Sequence, residues 1–351
     1  MKVADVLFKH NNEFKLYKII NFIAALVHLL NGILSITLAS DNGRNINFPI
    51  QRSFVGWDKL DCNGTLKTYS NTSFGFQEFI ITPASTEEGF SVNLLGLIVS
   101  FHMLSFVFQM SVYYTEYSDS ITERGINFLR FVEYSVSASI MLLCIAFISN
   151  IVLLPSLVGL FFMSFATMIL GGIAEGLFDD YIANIKDNTY VDPNYFALHL
   201  RAMGWAAHLT GWVTLTAAYG VIIFDSFVLS VDKSGVELPW FVPFIVIGIF
   251  CFYMVFGAIQ LIQLCYKDPC MGSLCGALCG ERWYRPLGRG ADIYITSPQR
   301  EGVFLRGINL NEFVELLYVF NSLTTKTILG WVIISNLLSD EQMSGGPLPT
   351  C

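Results

Sequence analysis

Leu316-Leu317-Tyr318-Val319-Phe320-Asn321-Ser322-Leu323-Thr324-Thr325-Lys326-Thr327-Ile328-Leu329-Gly330-Trp331 is an apolar run broken near its middle by a single lysine, and it continues through Val332-Ile333-Ile334. A bilayer is crossed by about 20 such residues, so the stretch is long enough to span one. A lysine at that depth is costly and needs a partner or a chemical use. Snorkelling to the interface serves lysines near helix ends, not one at the centre. One use suits a lone desolvated amine well: a covalent imine to an aldehyde. Glu315, Tyr318, Ser322 and Lys326 recur at helical intervals, so they form one polar stripe facing inward.

The rest of the chain fits that setting. Of 351 residues, 54% are hydrophobic and only 14% charged, with 30 phenylalanines. A soluble domain carries about 25% charged residues. The chain is therefore read as a polytopic membrane protein whose partner is the lipid bilayer. Its net charge of −8 and the lack of a dense basic cluster exclude a nucleic-acid role.

Seven stretches are long and apolar enough to span: Lys18–Ser40, Val92–Tyr113, Thr122–Ser149, Ile151–Leu177, Gly204–Leu229, Pro239–Leu264 and Glu312–Leu338. The expected fold class is thus an all-α integral membrane bundle. The first stretch could be mistaken for a signal peptide, but its polar lead and its length argue for a retained helix. The third and fourth are joined by almost nothing, with only Asn150 and Pro155 to mark the turn.

Orientation follows from loop lysines and arginines. One side collects Lys2, Lys9, Lys15, Lys18, Arg124, Arg130, Lys186, Arg201, Lys267, Arg282, Arg285, Arg289, Arg300 and Arg306. The other has only Arg44, Arg52, Lys59, Lys67 and Lys233. The N-terminus is expected in the cytoplasm and the C-terminus outside. Residues 1–17 form a cytoplasmic lead, 18–338 the membrane domain and 339–351 an outer tail. Within the membrane domain, the loop at 41–91 lies outside and that at 265–311 inside. The sequons at Asn63 and Asn71 fall on the outer side.

The 41–91 loop is too long for a plain connector. Pieces such as Phe54-Val55-Gly56-Trp57 and Phe79-Ile80-Ile81 suggest a small β-ribbon capping the outer face. Cys265, Cys270, Cys275 and Cys279 lack any C-x-x-C pair, which argues against zinc and for reduced thiols, S-palmitoylated at the membrane edge. Outside that cluster, Cys62 and Cys351 are the candidates on the outer side, with nothing to pair them.

Depth brings the polar residues together. Lys326 lies roughly 21 Å past Glu312 and Glu133 roughly 16 Å past Thr122, at 1.5 Å per residue, and both helices enter from the cytoplasm. His28 and His102 fall in the same layer of helices one and two. Buried charges must pair, so Glu133 is the natural counter-charge for Lys326 or its imine. Taken alone, either histidine reads as a hydrogen-bonded interior residue. The phenylalanines of helix six read as packing, although a flat slot for a polyene needs the same residues.

Arg130-Phe131-Val132-Glu133-Tyr134-Ser135-Val136-Ser137-Ala138-Ser139, together with Ser322-x-x-x-Lys326-x-x-x-x-Trp331, resembles the heliorhodopsins, retinal-binding proteins inverted relative to microbial pumps and channels. The resemblance covers all seven helices, the inward N-terminus and the long first outer loop. It implies a seven-helix rhodopsin-like bundle in which Lys326 carries all-trans retinal as a protonated Schiff base with Glu133 as counterion. Ser137 and Ser322 would contact the Schiff base region, His28 and His102 would border a hydrated polar pocket, and Trp331 would pack on the polyene. Glu175 and Arg130 would belong to a polar network on the cytoplasmic side. A homodimer is implied as well.

The resulting expectation is a light sensor, not an enzyme, with a slow conformational cycle read by an unidentified cytoplasmic signalling partner. The alternative is a light-gated proton channel, which Asp225 near the outer end of helix five keeps open. A pump is disfavoured because the outer half of helix three offers only Cys144. A receptor of the G-protein-coupled type conflicts with the inward N-terminus and lacks Asp-Arg-Tyr after helix three.

Overall fold

The computed structural model describes residues 16–41, 47–54, 57–58, 80–81, 85–114, 126–187, 195–225, 241–268 and 310–339. The sequons, Cys62, Cys270, Cys275, Cys279 and Cys351 lie outside these residues. Cys265 lies within them and is buried.

Seven helices dominate: α1 (Leu16–Asp41), α2 (Leu94–Tyr114), α3 (Phe128–Ile148), α4 (Leu154–Asp187), α5 (Tyr195–Ile223), α6 (Phe241–Lys267) and α7 (Leu310–Ser339). All seven are long and apolar enough to cross a membrane. Many of their exposed residues are large and apolar, among them Leu30 on α1, Phe162 on α4, Leu209 on α5 and Ile247 on α6. Lipid is the solvent that suits such a surface, because a helix satisfies its own backbone hydrogen bonds there.

Neighbours in sequence pack as neighbours in space, and α7 closes the ring against α1 and α6. Two helices sit deepest. The apolar span of α3 is 72% buried and that of α7 56%, against 33–39% for the other five. Those two carry Glu133 and Lys326.

Two helices overrun the expected spans. α4 continues to Asp187 instead of stopping at Leu177, and α5 starts at Tyr195 instead of Gly204. Phe178 and Tyr181 of α4 are buried with Ala197 and Leu200 of α5, so packing between the two extends both beyond the apolar window. Hydropathy reads only the part that meets lipid.

The turn between α3 and α4 is tight for a specific reason. Asn150 adopts a left-handed conformation, φ 60°. Its N–H donates to Phe147 O at 2.9 Å, and the Ile151 N–H donates to Ala146 O at 2.9 Å. This pair of bonds is the Schellman arrangement, with asparagine replacing the usual glycine.

The expected ribbon is present. Strand β1 (Asn47–Phe54) pairs antiparallel with β4 (Ser85–Asn93), with a register shift between Pro49 and Gln51. Pro49 has no N–H to give the ladder, which suits a break there. Short strands β2 (Trp57–Asp58) and β3 (Ile80–Ile81) pair beside it. The ribbon lies over the α3–α4 turn: Gln51 N–H donates to Val152 O at 3.0 Å, and Phe48 stacks on Phe147.

Candidate functional site: a buried lysine held by a carboxylate and a serine

Lys326 is 3% exposed, and its ammonium donates to Glu133 Oε1 at 2.7 Å and to Ser105 Oγ at 2.5 Å. The Tyr134 ring faces the same nitrogen at 5.1 Å. Among the described residues, Glu133 is the carboxylate paired with this amine. Breaking such a buried pair by removing one partner costs about 3–5 kcal/mol, because the survivor is left charged in a dry site.

The pair is the expected one, but the depth count behind it starts α3 at Thr122, and the helix starts at Phe128 behind its Asn127 cap. Glu133 lies only about one and a half turns past Phe128, while Lys326 lies about four and a half past Leu310. Long helical side chains lean toward the N-terminus of their own helix. A lean of that kind lets the Lys326 amine reach back along α7 toward Glu133. The Glu315, Tyr318, Ser322, Lys326 stripe is buried throughout, as its spacing predicted.

Beside the amine, His28 Nδ1 and His102 Nδ1 are hydrogen-bonded at 3.0 Å. One must donate and the other accept, so the two rings hold opposite protonation at Nδ1. Asn31, one turn along α1 from His28, fastens α7: its amide donates to Thr327 Oγ1 at 3.1 Å and accepts from Trp331 Nε1 at 3.1 Å. Trp331 is thus turned toward α1. Ser137 and Ser322 are buried, Ser322 near the Tyr134 hydroxyl, and the Oγ of each lacks a partner at hydrogen-bonding geometry.

Toward the start of α3 stands a second polar assembly. Asn127 caps the helix, its Oδ1 accepting from Arg130 N–H at 3.0 Å. Arg130 Nη2 donates to Glu175 at 2.7 Å, and its Nη1 donates to Glu315. Asn127 Nδ2 also donates to Glu315, at 2.5 Å. The guanidinium lies 3.8 Å from the Tyr318 ring centre. One arginine thereby joins α3, α4 and α7. The apolar span of α6 ends at Cys265, and beyond it burial holds the Lys267 amine below its ordinary value, with Glu175 and Asp179 pulling it back up. A small cavity of about 10 Å³, bordered by Gln109, Glu133, Arg130 and Glu315, lies between this assembly and the lysine site. That is about the space of one water.

On the other side of Tyr134 opens a narrow crevice of about 50 Å³, walled by Phe131, Tyr134, Trp212, Tyr253, Phe256 and Tyr318. Small-molecule sites commonly share this apolar, aromatic character, although they are larger. Gly257 makes room for the Trp212 ring in that wall: a β-carbon there would stand 2.4 Å from it. Trp212 Nε1 donates to His208 Nε2 at 2.9 Å, and His208 Nδ1 meets Gln260 Oε1 at 3.0 Å. Gln260 in turn donates to Gly171 O at 2.7 Å. His208 therefore carries its proton on Nδ1, and this polar edge is satisfied internally. A buried amine at one end and an aromatic crevice beyond a shared tyrosine match the chemistry of a long apolar aldehyde, and the crevice must widen to admit one.

Ser105 is the contact that sequence reading missed. It lies three residues after His102, on the same face of α2, and that spacing was its available signal.

The heliorhodopsin family model matches residues 17–288, so this chain belongs to the heliorhodopsin family. It is a rhodopsin-type light-sensing membrane protein, and the family implies a retinal chromophore. A comparison with curated proteins finds no match. The match takes in α1 to α6, Glu133 and both histidines, and it ends before α7. What ties Lys326 to the site is its geometry.

Proposed function

We propose that Lys326 is the attachment point of all-trans retinal, held as a protonated Schiff base with Glu133 as its counterion. The observation that carries this is the 2.7 Å pairing of two buried charges on the two deepest helices. Bound there, retinal supplies light absorption and double-bond isomerisation.

The protein's residues supply the rest. Glu133 balances the positive nitrogen in a site with little water. Tyr134 bounds the amine and opens onto the crevice, whose aromatic walls exclude solvent. The His28–His102 pair offers a place for a proton beside the nitrogen. Arg130, with one charge shared between carboxylates on two helices, would respond to any displacement of α3 against α7. In this reading the N-terminus is cytoplasmic, and a slow cycle presents the altered helix ends on that side to a signalling partner, from a homodimer.

Purified full-length protein supplied with all-trans retinal will become coloured, and Lys326→Ala will not. Folded wild-type protein that stays colourless would sink the proposal. Under voltage clamp the sensor gives no photocurrent. A current reversing with the electrochemical gradient would replace the sensor by a light-gated conductor.

A further inference from the structure

We infer that Ser105 is the alternate acceptor for the one N–H that Lys326 keeps when it carries an aldehyde, so that this N–H has two docking positions, Glu133 on α3 and Ser105 on α2. The inference rests on the reading of Lys326 as the attachment point.

The argument begins with hydrogens. As an ammonium, Lys326 has three N–H donors and uses two of them on Glu133 Oε1 at 2.7 Å and Ser105 Oγ at 2.5 Å. When an ammonium condenses with an aldehyde, the carbonyl oxygen leaves as water with two of those three hydrogens. A C=N bond and one N–H remain, and the positive charge is unchanged. Two acceptors then face one donor.

Which acceptor takes the N–H in the dark follows from charge. A hydrogen bond to an ionised acceptor is roughly twice as strong as one between neutral groups, so Glu133 holds it. Ser105 is nonetheless poised as an acceptor. Its own hydrogen is donated to Phe101 O at 3.0 Å, which leaves its lone pairs for Lys326. Ser105 is fully buried, so no bulk water competes for the place. Isomerisation turns the N–H away from its dark direction, and the other acceptor within reach on a different helix is Ser105. His102 lies three residues earlier on the same face of α2, so an N–H turned to Ser105 has left the carboxylate for the helix that bears one member of the histidine pair.

The test compares Ser105→Ala and Ser105→Thr in the unliganded full chain and in the retinal-bound pigment. Threonine keeps the hydroxyl and makes the same back-bond to the carbonyl four residues earlier. In the unliganded protein, Ser105→Ala removes one of two acceptors and lowers the unfolding midpoint by about 2 °C or more. In the dark pigment the same change leaves the midpoint and the visible band unmoved. After illumination, the deuterium shift of the C=N stretch falls in Ser105→Ala, and Ser105→Thr restores the wild-type value. An unaltered photoproduct in Ser105→Ala overturns the inference. So does a dark band displaced as far as in Glu133→Gln, because Ser105 would then be the dark partner. Failure of the parent reading looks different: wild type and Ser105→Ala would both stay colourless.

Discussion

His102 packs against the bare backbone of Gly330: its Nε2 lies 3.1 Å from where a β-carbon on that glycine would stand. Gly330 is one turn beyond Lys326, so the glycine brings the histidine pair up to α7. In Gly330→Ala the methyl displaces His102 by a few tenths of an ångström. Helix propensity gains up to about 1 kcal/mol from the change, which offsets the crowding. The unfolding midpoint will move little. The imidazole NMR signals of His28 and His102 will shift, and unmoved signals would mean the contact is slack.

Glu133→Gln leaves the Lys326 charge buried without a counter-charge. Denaturant titration of the unliganded protein should show a loss of about 3–5 kcal/mol. Glu133→Gln combined with Lys326→Met removes both charges and should recover most of it. If the double variant is as unstable as the single one, the pair is not the source of the loss. In the pigment, Glu133→Gln will shift the visible band or deprotonate the imine.

Arg130→Gln confronts Glu175 with Glu315 and removes the link between α4 and α7. A loss of about 3–5 kcal/mol is expected, and Arg130→Lys should recover little because an ammonium lacks the planar fork that reaches both carboxylates. Glu175→Gln should be milder, since Arg130 keeps Glu315 and Asn127 keeps its cap. Thermal unfolding of the three variants in detergent gives the order.

Asn150→Gly should hold or slightly raise stability, because glycine adopts φ 60° without strain. Asn150→Val should cost about 1–2 kcal/mol for the same reason reversed. Equal midpoints for the two variants would show that the turn is not left-handed.

Much of this was readable before the fold was known. The 3-4-4 spacing on α7 put Glu315, Tyr318, Ser322 and Lys326 on one face, and the need to pair a buried charge selected Glu133. Pairing rules that act across the bundle were harder to see. Ser105 and the Glu315–Arg130 bond depend on which helices meet and how far long side chains lean, and neither is written in one segment's periodicity. Helix ends escaped for another reason: α4 and α5 extend past the apolar window by packing on one another, where hydropathy has nothing to detect. Trp331 carries a role implied by resemblance, while its indole N–H is engaged by Asn31, a partner 300 residues away.

The Gln51–Val152 bond has a consequence for assembly. Gln51 belongs to the chain that follows α1, yet its acceptor arrives only after α3 has been made and the chain has turned toward α4. A growing polypeptide that has released two helices into the bilayer has no mate for that amide. The ribbon is thus a latch that fastens late, and it closes only over a correctly seated second hairpin.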